Sequence, residues 1–235
     1  MNKIDLTFLN IAALVLMASP LRAERTYMCI PCPIGTYSDG SKYSCEPCPA
    51  NHVCPLGTGK PIPVANCKSK QIEHITKAGA GKTDLIEGIY KIEVAGGGGG
   101  GSGGSEWYKR VKRYWHCGHY GGRGGTASGI VHIPTLMTVP YTVGAGGAGG
   151  RWSGDYGNAG GNGGTTTFKV ESSNFSISAC GGSGGWAHKY GLDGAAPSCG
   201  NGQGAGGGAG NCADSNGYAG GTGWINIYQL YDCKL

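Results

Sequence analysis

A phase of three runs through the glycine-rich part of this chain, and it restricts the possible folds more than any other feature. Of 49 glycines, 42 lie in the 128 residues from Gly96 to Gly223. Within that stretch Tyr120, Arg123 and Thr126 enclose Gly-Gly pairs, as do Ala145, Ala148 and Arg151, then Ala159, Asn162 and Thr165, and then Cys180, Ser183 and Trp186. Shorter versions occur at Ser102/Ser105 and Ala219/Thr222. A flexible linker has no reason to keep such a phase and is normally richer in Ser. A collagen triple helix needs Gly at one position in three with abundant proline, whereas here two positions in three are glycine and prolines are few. A polyproline II helix has three residues per turn and no internal hydrogen bonds. An x-Gly-Gly repeat in that conformation shows side chains along one edge and bare glycine along two. Bare edges let helices approach until their backbone N–H and C=O groups pair, with Cα–H···O contacts in support. Gly96 to Gly101 is glycine on every edge, which suits a central position in such a bundle. Ordering so much glycine has a large entropic cost, so other elements must hold the ends.

Runs with period-two alternation adjoin the strips and supply those elements. They are Gly88-Ile-Tyr-Lys-Ile-Glu-Val94, Thr138 to Val143, Thr165 to Val170, Asn174 to Ala179 and Gly223-Trp-Ile-Asn-Ile-Tyr-Gln-Leu230. Alternating β-branched and aromatic residues are a strand signature, and helical patterns are nearly absent. Tyr90-Lys-Ile-Glu-Val-Ala-Gly-Gly-Gly-Gly, Tyr141-Thr-Val-Gly-Ala-Gly-Gly-Ala-Gly-Gly, Gly160-Gly-Asn-Gly-Gly-Thr-Thr-Thr-Phe and Gly223-Trp-Ile-Asn-Ile resemble the glycine-rich domain of phage tail-fibre adhesins, bacterial surface proteins and anaplastic-lymphoma-kinase-type receptor ectodomains. The resemblance spans about Glu87 to Tyr231. It implies a mainly β fold, a β-sandwich edge from which polyglycine helices emerge, and attachment or recognition by surface loops rather than catalysis.

The N-terminus gives an address. Residues 8–18 are apolar, Lys3 precedes them and Ser19-Pro-Leu-Arg-Ala23 follows, which reads as a signal peptide over residues 1–23. A retained membrane anchor is the rival reading. Eleven cysteines fit an oxidising compartment, so the expected location is extracellular, secreted or cell surface. Six of them, Cys29, Cys32, Cys45, Cys48, Cys54 and Cys67, lie in a proline-rich segment with almost no aliphatic core. Two Cys-x-x-Cys pairs also suit zinc, but export favours a disulfide-stapled module over residues 24–68. Cys29-Ile-Pro-Cys-Pro-Ile-Gly-Thr-Tyr-Ser and the residues up to Cys67 resemble the cysteine-rich repeats of ephrin-receptor and tumour-necrosis-factor-receptor ectodomains. Connectivity stays open from spacing alone, with Cys32–Cys45 and Cys48–Cys67 as the preferred pairs. Residues 69–86 read as a linker, and residues 87–235 as the glycine-rich domain. That domain holds five cysteines, Cys117, Cys180, Cys199, Cys212 and Cys233, an odd number that leaves one for an intermolecular bridge.

Most catalytic patterns fail. Ala80-Gly-Lys-Thr83 lacks the first glycine of a phosphate loop, because Thr76 stands in its place. His116, Cys117 and His119 could bind zinc, although a disulfide role for Cys117 is favoured. No nucleophile triad or carboxylate pair can be placed, and no metal or cofactor is implied. A formal charge of +5 does not point to a nucleic-acid partner. Asn174-Phe-Ser176 is a glycosylation sequon. The candidate site is the stretch Trp107, Tyr108, Lys109, Arg110, Val111, Lys112, Arg113, Tyr114 and Trp115, read as a loop between glycine strips. Four rings and four cations together can stack on sugars and pair with anions; the plain alternative is a solvated cap. The sequence therefore favours an exported, non-enzymatic surface protein of adhesin-like or envelope-structural role, whose partner is an anionic glycan or envelope polymer. A purely structural or ice-binding protein ranks second, since only Thr126, Thr165 and Thr222 occupy strip positions. An unrecognised hydrolase ranks third.

Overall fold

The computed structural model describes residues 31–41, 44–109, 112–153, 157–186, 194, 204–210 and 215–234. The expected signal peptide and Cys29 lie outside the described residues. The protein is mainly β, and no α-helix occurs among the described residues. Short strands β1 (Thr36–Tyr37), β2 (Glu46–Pro47), β3 (His52–Val53) and β4 (Ile62–Pro63) form two small ladders, β1 with β2 and β3 with β4. Then come β5 (Lys68–Ile75), β6 (Gly79–Leu85), β7 (Gly88–Ala95), β8 (Ser105–Lys109), β9 (Lys112–His116), β10 (Thr126–Ile133), β11 (Met137–Val143), β12 (Thr166–Val170), β13 (Phe175–Ala179) and β14 (Trp224–Tyr231).

Two four-stranded antiparallel sheets result, ordered β10-β7-β14-β5 and β13-β12-β11-β6. Alternation along each strand sends one set of side chains into a shared apolar core. Tyr90, Ile92 and Val94 of β7 and Ile225 and Ile227 of β14 meet Val139, Val143, Phe168 and Ile177 from the second sheet. The Tyr90 hydroxyl donates to the Ile86 carbonyl at 3.0 Å, so its polar end is satisfied, and burial raises its pKa. The opposite face of the first sheet presents Ile89 and Leu230, which pack with Val53 and Ile62 of the cysteine module.

Residues 69–86 are not a linker. Most of them belong to β5 and β6, the edge strands of the two sheets. Edge strands carry charge on their exposed positions, and Lys68, Lys70, Lys82 and Asp84 do so here. Only Ile75 and Leu85 of these strands are buried. That dilutes the apolar alternation that would have revealed strands.

Cys32 pairs with Cys45 as expected, but Cys48 pairs with Cys54, and Cys67 pairs with Cys233 across 166 residues. The β5–β14 register explains the last bond. Lys68 lies opposite Tyr231, so the residue before β5 meets the segment just after β14. Cys117 and Cys180 are also disulfide-bonded. With Cys233 taken by Cys67, the glycine-rich domain no longer has an odd cysteine count, and the argument for an intermolecular bridge from that domain lapses.

The glycine segments continue from the sheets. Residues 96–104 extend β7, and the segments 119–125, 144–151, 157–165, 180–186 and 215–223 adjoin β10, β11, β12, β13 and β14. The backbone N–H groups of 96–104 donate in rotation to three neighbours. Gly96, Gly99 and Ser102 donate to Gly125, Gly122 and His119; Gly97, Gly100 and Gly103 to Gly164, Gly161 and Asn158; Gly98, Gly101 and Gly104 to Gly221, Tyr218 and Ser215. The carbonyls of 96–101 accept from three further segments: Gly97 and Gly100 from Gly182 and Gly185, Gly98 and Gly101 from Gly147 and Gly150, Gly96 and Gly99 from Ala205 and Gly208. One segment is thus encircled by six. Those whose carbonyls accept from the centre run antiparallel to it, and those whose N–H groups donate to it run parallel.

The six also bond to one another in a closed ring. Its order is 119–125, 180–186, 157–165, 144–151, 215–223, 204–210 and back to 119–125, through such bonds as Gly122 to Ser183, Gly160 to Gly185, Gly161 to Ala148, Gly220 to Gly147, Tyr218 to Ala209 and Gly121 to Gly208. At the junction with the sheets Thr166 is fully buried. Its hydroxyl donates to the Ala95 carbonyl at 2.6 Å and accepts from the Gly144 N–H at 3.0 Å.

Candidate functional site

The sequence stretch singled out for recognition connects the central segment to the 119–125 segment, at the end of the bundle away from the sheets. It is a two-stranded antiparallel ribbon rather than a plain loop. Its register pairs Ser105 with His116, Glu106 with Trp115, Trp107 with Tyr114, Tyr108 with Arg113 and Lys109 with Lys112. Large residues suit a strand, and Arg110 and Val111 lie outside the described residues. Of this set, Trp115 is exposed and Glu106 is buried. Ser102 is the residue that ends the glycine-only centre. It is fully buried, and its hydroxyl accepts from the His119 N–H at 2.7 Å, which fixes the exit of the hairpin.

Hydrogen-bond register gives each strip residue a height along the bundle. Near the sheets the outward positions are small and exposed: Thr165, Asn162, Ala145, Ala148, Ala219 and Thr222. Near the hairpin they become large. Tyr120 follows His119, which pairs with Ser102; Trp186 follows Gly185, which pairs with Gly100; Trp152 follows Arg151, whose carbonyl accepts from Asn158, the partner of Gly103. Tyr218 accepts directly from the Gly101 N–H. Tyr120, Trp186 and Tyr218 are 58%, 67% and 63% exposed. The Trp152 N–H is held by the Asn216 side chain at 2.8 Å. Sequence reading found the period but not this convergence, because height is set by pairing between distant segments.

Tyr218 also shows why the phase is not a strict x-Gly-Gly. A Cβ on Gly160 or Gly163 would fall on the carbonyl oxygen of Gly100 or Gly97 in the centre. A Cβ on Gly161 would come no closer than 3.1 Å to Ala148, and one on Gly221 no closer than 3.4 Å to Gly206. In these antiparallel segments the glycines that face the centre have no room for a Cβ, whereas the space is tight at Gly161 and ordinary at Gly221; Gly164, 2.9 Å from the Ala145 nitrogen, has little. Tyr218, three residues before Gly221, occupies a permissive position.

Charge reinforces the location. The described residues of the seven glycine segments contain no Asp or Glu, while Arg123 and Arg151 are exposed and the hairpin adds Lys109, Lys112 and Arg113. Cys117 is disulfide-bonded, so the His116, Cys117 and His119 set offers no thiolate, and no group of three metal-binding residues occurs among the described residues. Ala80 to Thr83 lies within β6 paired to β11, which leaves no loop to cradle a phosphate. Asn174 of the sequon is exposed in a left-handed turn before β13. Among the described residues no helix is long and apolar enough to cross a membrane.

A separate cleft of about 400 Å³ lies between the cysteine module and β10, lined by Ile34, Ile130, His132, Asn174 and Phe175 among others. His132 Nε2 accepts from the Cys54 N–H at 3.3 Å, and burial lowers its pKa. The imidazole is thus held neutral as an acceptor and ties the module to the sheet.

A family described as a glycine-rich domain matches residues 76–230. The chain belongs to that glycine-rich domain family. Its matched span runs from before β6 to Leu230, so the family accounts for the bundle and most of both sheets, while the cysteine module and β5 stand outside it. No curated protein matches the chain.

Proposed function

We propose that this is an exported, non-enzymatic surface protein whose recognition element is the hairpin Trp107–Trp115, with an anionic glycan or envelope polymer as its partner. The two sheets are read as a sandwich and the glycine segments as polyproline II helices, a rigid stalk that holds the hairpin away from the sheets. Likeness to adhesins and receptor ectodomains, and to receptor cysteine-rich repeats in the module, supports the same reading. So do the disulfides, which fit an oxidising, extracellular setting.

The observation that carries the proposal is position. Four cations and four rings occupy the single connection that leaves the centre of the bundle at its far end. Binding sites concentrate on connections presented by rigid scaffolds. Cation contacts make such binding sensitive to salt, while stacking persists. Replacing Lys109, Arg110, Lys112 and Arg113 by Ser is expected to weaken retention on anionic glycans with the melting temperature unchanged. Retention equal to that of the parent would reduce the hairpin to a solvated cap.

A structural or ice-ordering role fits less well. Thr165 and Thr222 sit on strips separated by the 144–151 strip, and Thr126 sits on another segment, so the threonines do not form one row.

A further inference from the structure

The cleft of about 400 Å³ lies where the cysteine module meets β10 and the turn before β13, and has room for roughly a dozen waters by liquid volume. Ile130, Pro134 and Phe175 give it apolar walls, and Ser172, Ser173 and Asn174 give it polar groups. Concave sites that are mostly apolar with a few convergent polar groups are the usual form of a ligand site. Gly129 of β10 makes room for the half-buried ring of Phe175, since a Cβ there would come within 2.9 Å of it.

One lining residue can itself carry the occupant. Asn174 opens the sequon Asn174-Phe175-Ser176. It is exposed and left-handed, with φ of 52°, a conformation that Asn adopts more readily than most residues. Ser176, the hydroxyl residue of the sequon, is exposed on β13, the edge strand of its sheet. A sugar joined to the Asn174 amide therefore starts at the cleft. An N-acetylhexosamine has an apolar ring face and an acetyl methyl, which match Phe175 and Ile130. Its hydroxyls can donate to the hydroxyl oxygens of Ser172 and Ser173.

We propose that Asn174 is a glycosylation site and that the first N-acetylhexosamine of its glycan seats in this cleft against Phe175 and Ile130, bracing the cysteine module against β10. The step is a glycosyl transfer from a lipid-diphosphate-linked oligosaccharide. A bond forms between the Asn174 amide nitrogen and C1 of the sugar, and the bond from C1 to the diphosphate oxygen breaks. The lipid diphosphate leaves with the bonding pair, and the amide proton goes to a base of the transferase. Such donors meet a chain in the secretory pathway, so this site rests on the export in the reading above and is independent of the hairpin. The seated sugar covers the joint at which the Cys54 N–H donates to His132.

The experiment secretes the full chain from a eukaryotic cell line, once behind its own N-terminal segment and once behind a foreign leader. Mass spectrometry is expected to find a glycan on the peptide containing Asn174, removed by a peptide N-glycosidase that converts this Asn to Asp. Ser176→Ala, an exchange at an exposed position that keeps the turn, is expected to lose the glycan, and Ser176→Thr to retain it. In the glycosylated protein, nuclear Overhauser contacts are expected from the acetyl methyl of the first sugar to the Phe175 ring and the Ile130 side chain. Exchange of the Cys54 amide is expected to be slower than in Ser176→Ala. Failure to export behind the chain's own segment, with a glycan on Asn174 behind the foreign leader, overturns the export reading and keeps the site. An unmodified Asn174 behind the foreign leader overturns the site. A glycan without contacts to Phe175 and Ile130, or contacts there from a second copy in its place, overturns the seating.

Discussion

The two sheets and the glycine bundle are contiguous in one chain, yet they are held together by opposite means. In the sheets, side chains do the holding: Phe168, Ile92, Ile225 and their neighbours exclude water from a core to which both sheets contribute. In the bundle there are no side chains to pack, and each central residue is fixed by a backbone hydrogen bond to one of three neighbours in turn. Apolar cores accept volume-conserving exchanges at modest cost. A backbone bundle accepts nothing where two chains touch and almost anything at the outward positions. The tolerance of the sheets is therefore graded by volume, and that of the bundle by position.

The severest test of this contrast is a methyl group at the centre. A Cβ on Gly100 would fall on the Ala148 carbonyl oxygen, and one on Gly99 on that of Ser183. Gly100→Ala is expected to cost more than about 4 kcal/mol, as an irreparable backbone clash does, and to prevent soluble expression or lower the thermal midpoint beyond any core variant. In the sheets, Phe168→Ala is expected to cost about 3–5 kcal/mol, while Phe168→Leu costs far less. Equal losses at Gly100→Ala and Phe168→Leu would erase the distinction.

Thr166 belongs to both regions and sharpens the comparison. Its hydroxyl bridges Ala95 at the end of β7 and Gly144 at the start of a glycine segment. Thr166→Val keeps the shape and removes the bridge, leaving a buried N–H and C=O without that partner. Denaturant titration is expected to show a loss of about 1–3 kcal/mol. A neutral result would mean that the bundle and sheets do not depend on this junction.

How much of this was legible in sequence differs between the two regions for the same reason. Strands β7, β11, β12, β13 and β14 carry strong alternation and were readable within a residue or so of their ends. β5 and β6 were not, because each buries a single apolar residue, Ile75 and Leu85. β10 was missed as well; Thr-Ala-Ser-Gly at its start hides the alternation of Ile-Val-His-Ile that follows. The phase of three declared the bundle, and the all-glycine run from Gly96 declared its centre. Neither could reveal which strips are parallel to the centre, and hence which glycines are permissive. Likewise Cys67–Cys233 depends on the pairing of β5 with β14, and the height of each strip residue on the pairing of distant segments such as Gly101 with Tyr218.

The smallest expected effect concerns the attachment of the cysteine module. The β10 acceptor His132, which holds the Cys54 amide, is half-buried, and that burial puts its pKa below the ordinary value. A group whose folded pKa is depressed binds fewer protons in the folded state, so its contribution is complete above the unfolded value of about 6.5 and declines as pH falls. Hydrogen exchange at the Cys54 amide is expected to quicken, relative to its intrinsic rate, below that pH. His132→Gln, which keeps an acceptor without the titration, is expected to flatten that change. Because Cys67–Cys233 also joins the module to β14, global unfolding should respond only weakly.

Adjacent glycines provide the most direct test of position-governed tolerance. Gly160 and Gly161 are adjacent in sequence and of the same residue type, but a Cβ on the first points at the Gly100 carbonyl oxygen, and one on the second stays at least 3.1 Å from Ala148. Thermal unfolding of Gly160→Ala and Gly161→Ala in the oxidised chain isolates that difference. The account predicts a severe loss for Gly160→Ala, of several kcal/mol, and a much smaller loss for Gly161→Ala, where the Ala148 backbone has only to give slightly. Equal midpoints for the two variants would contradict it.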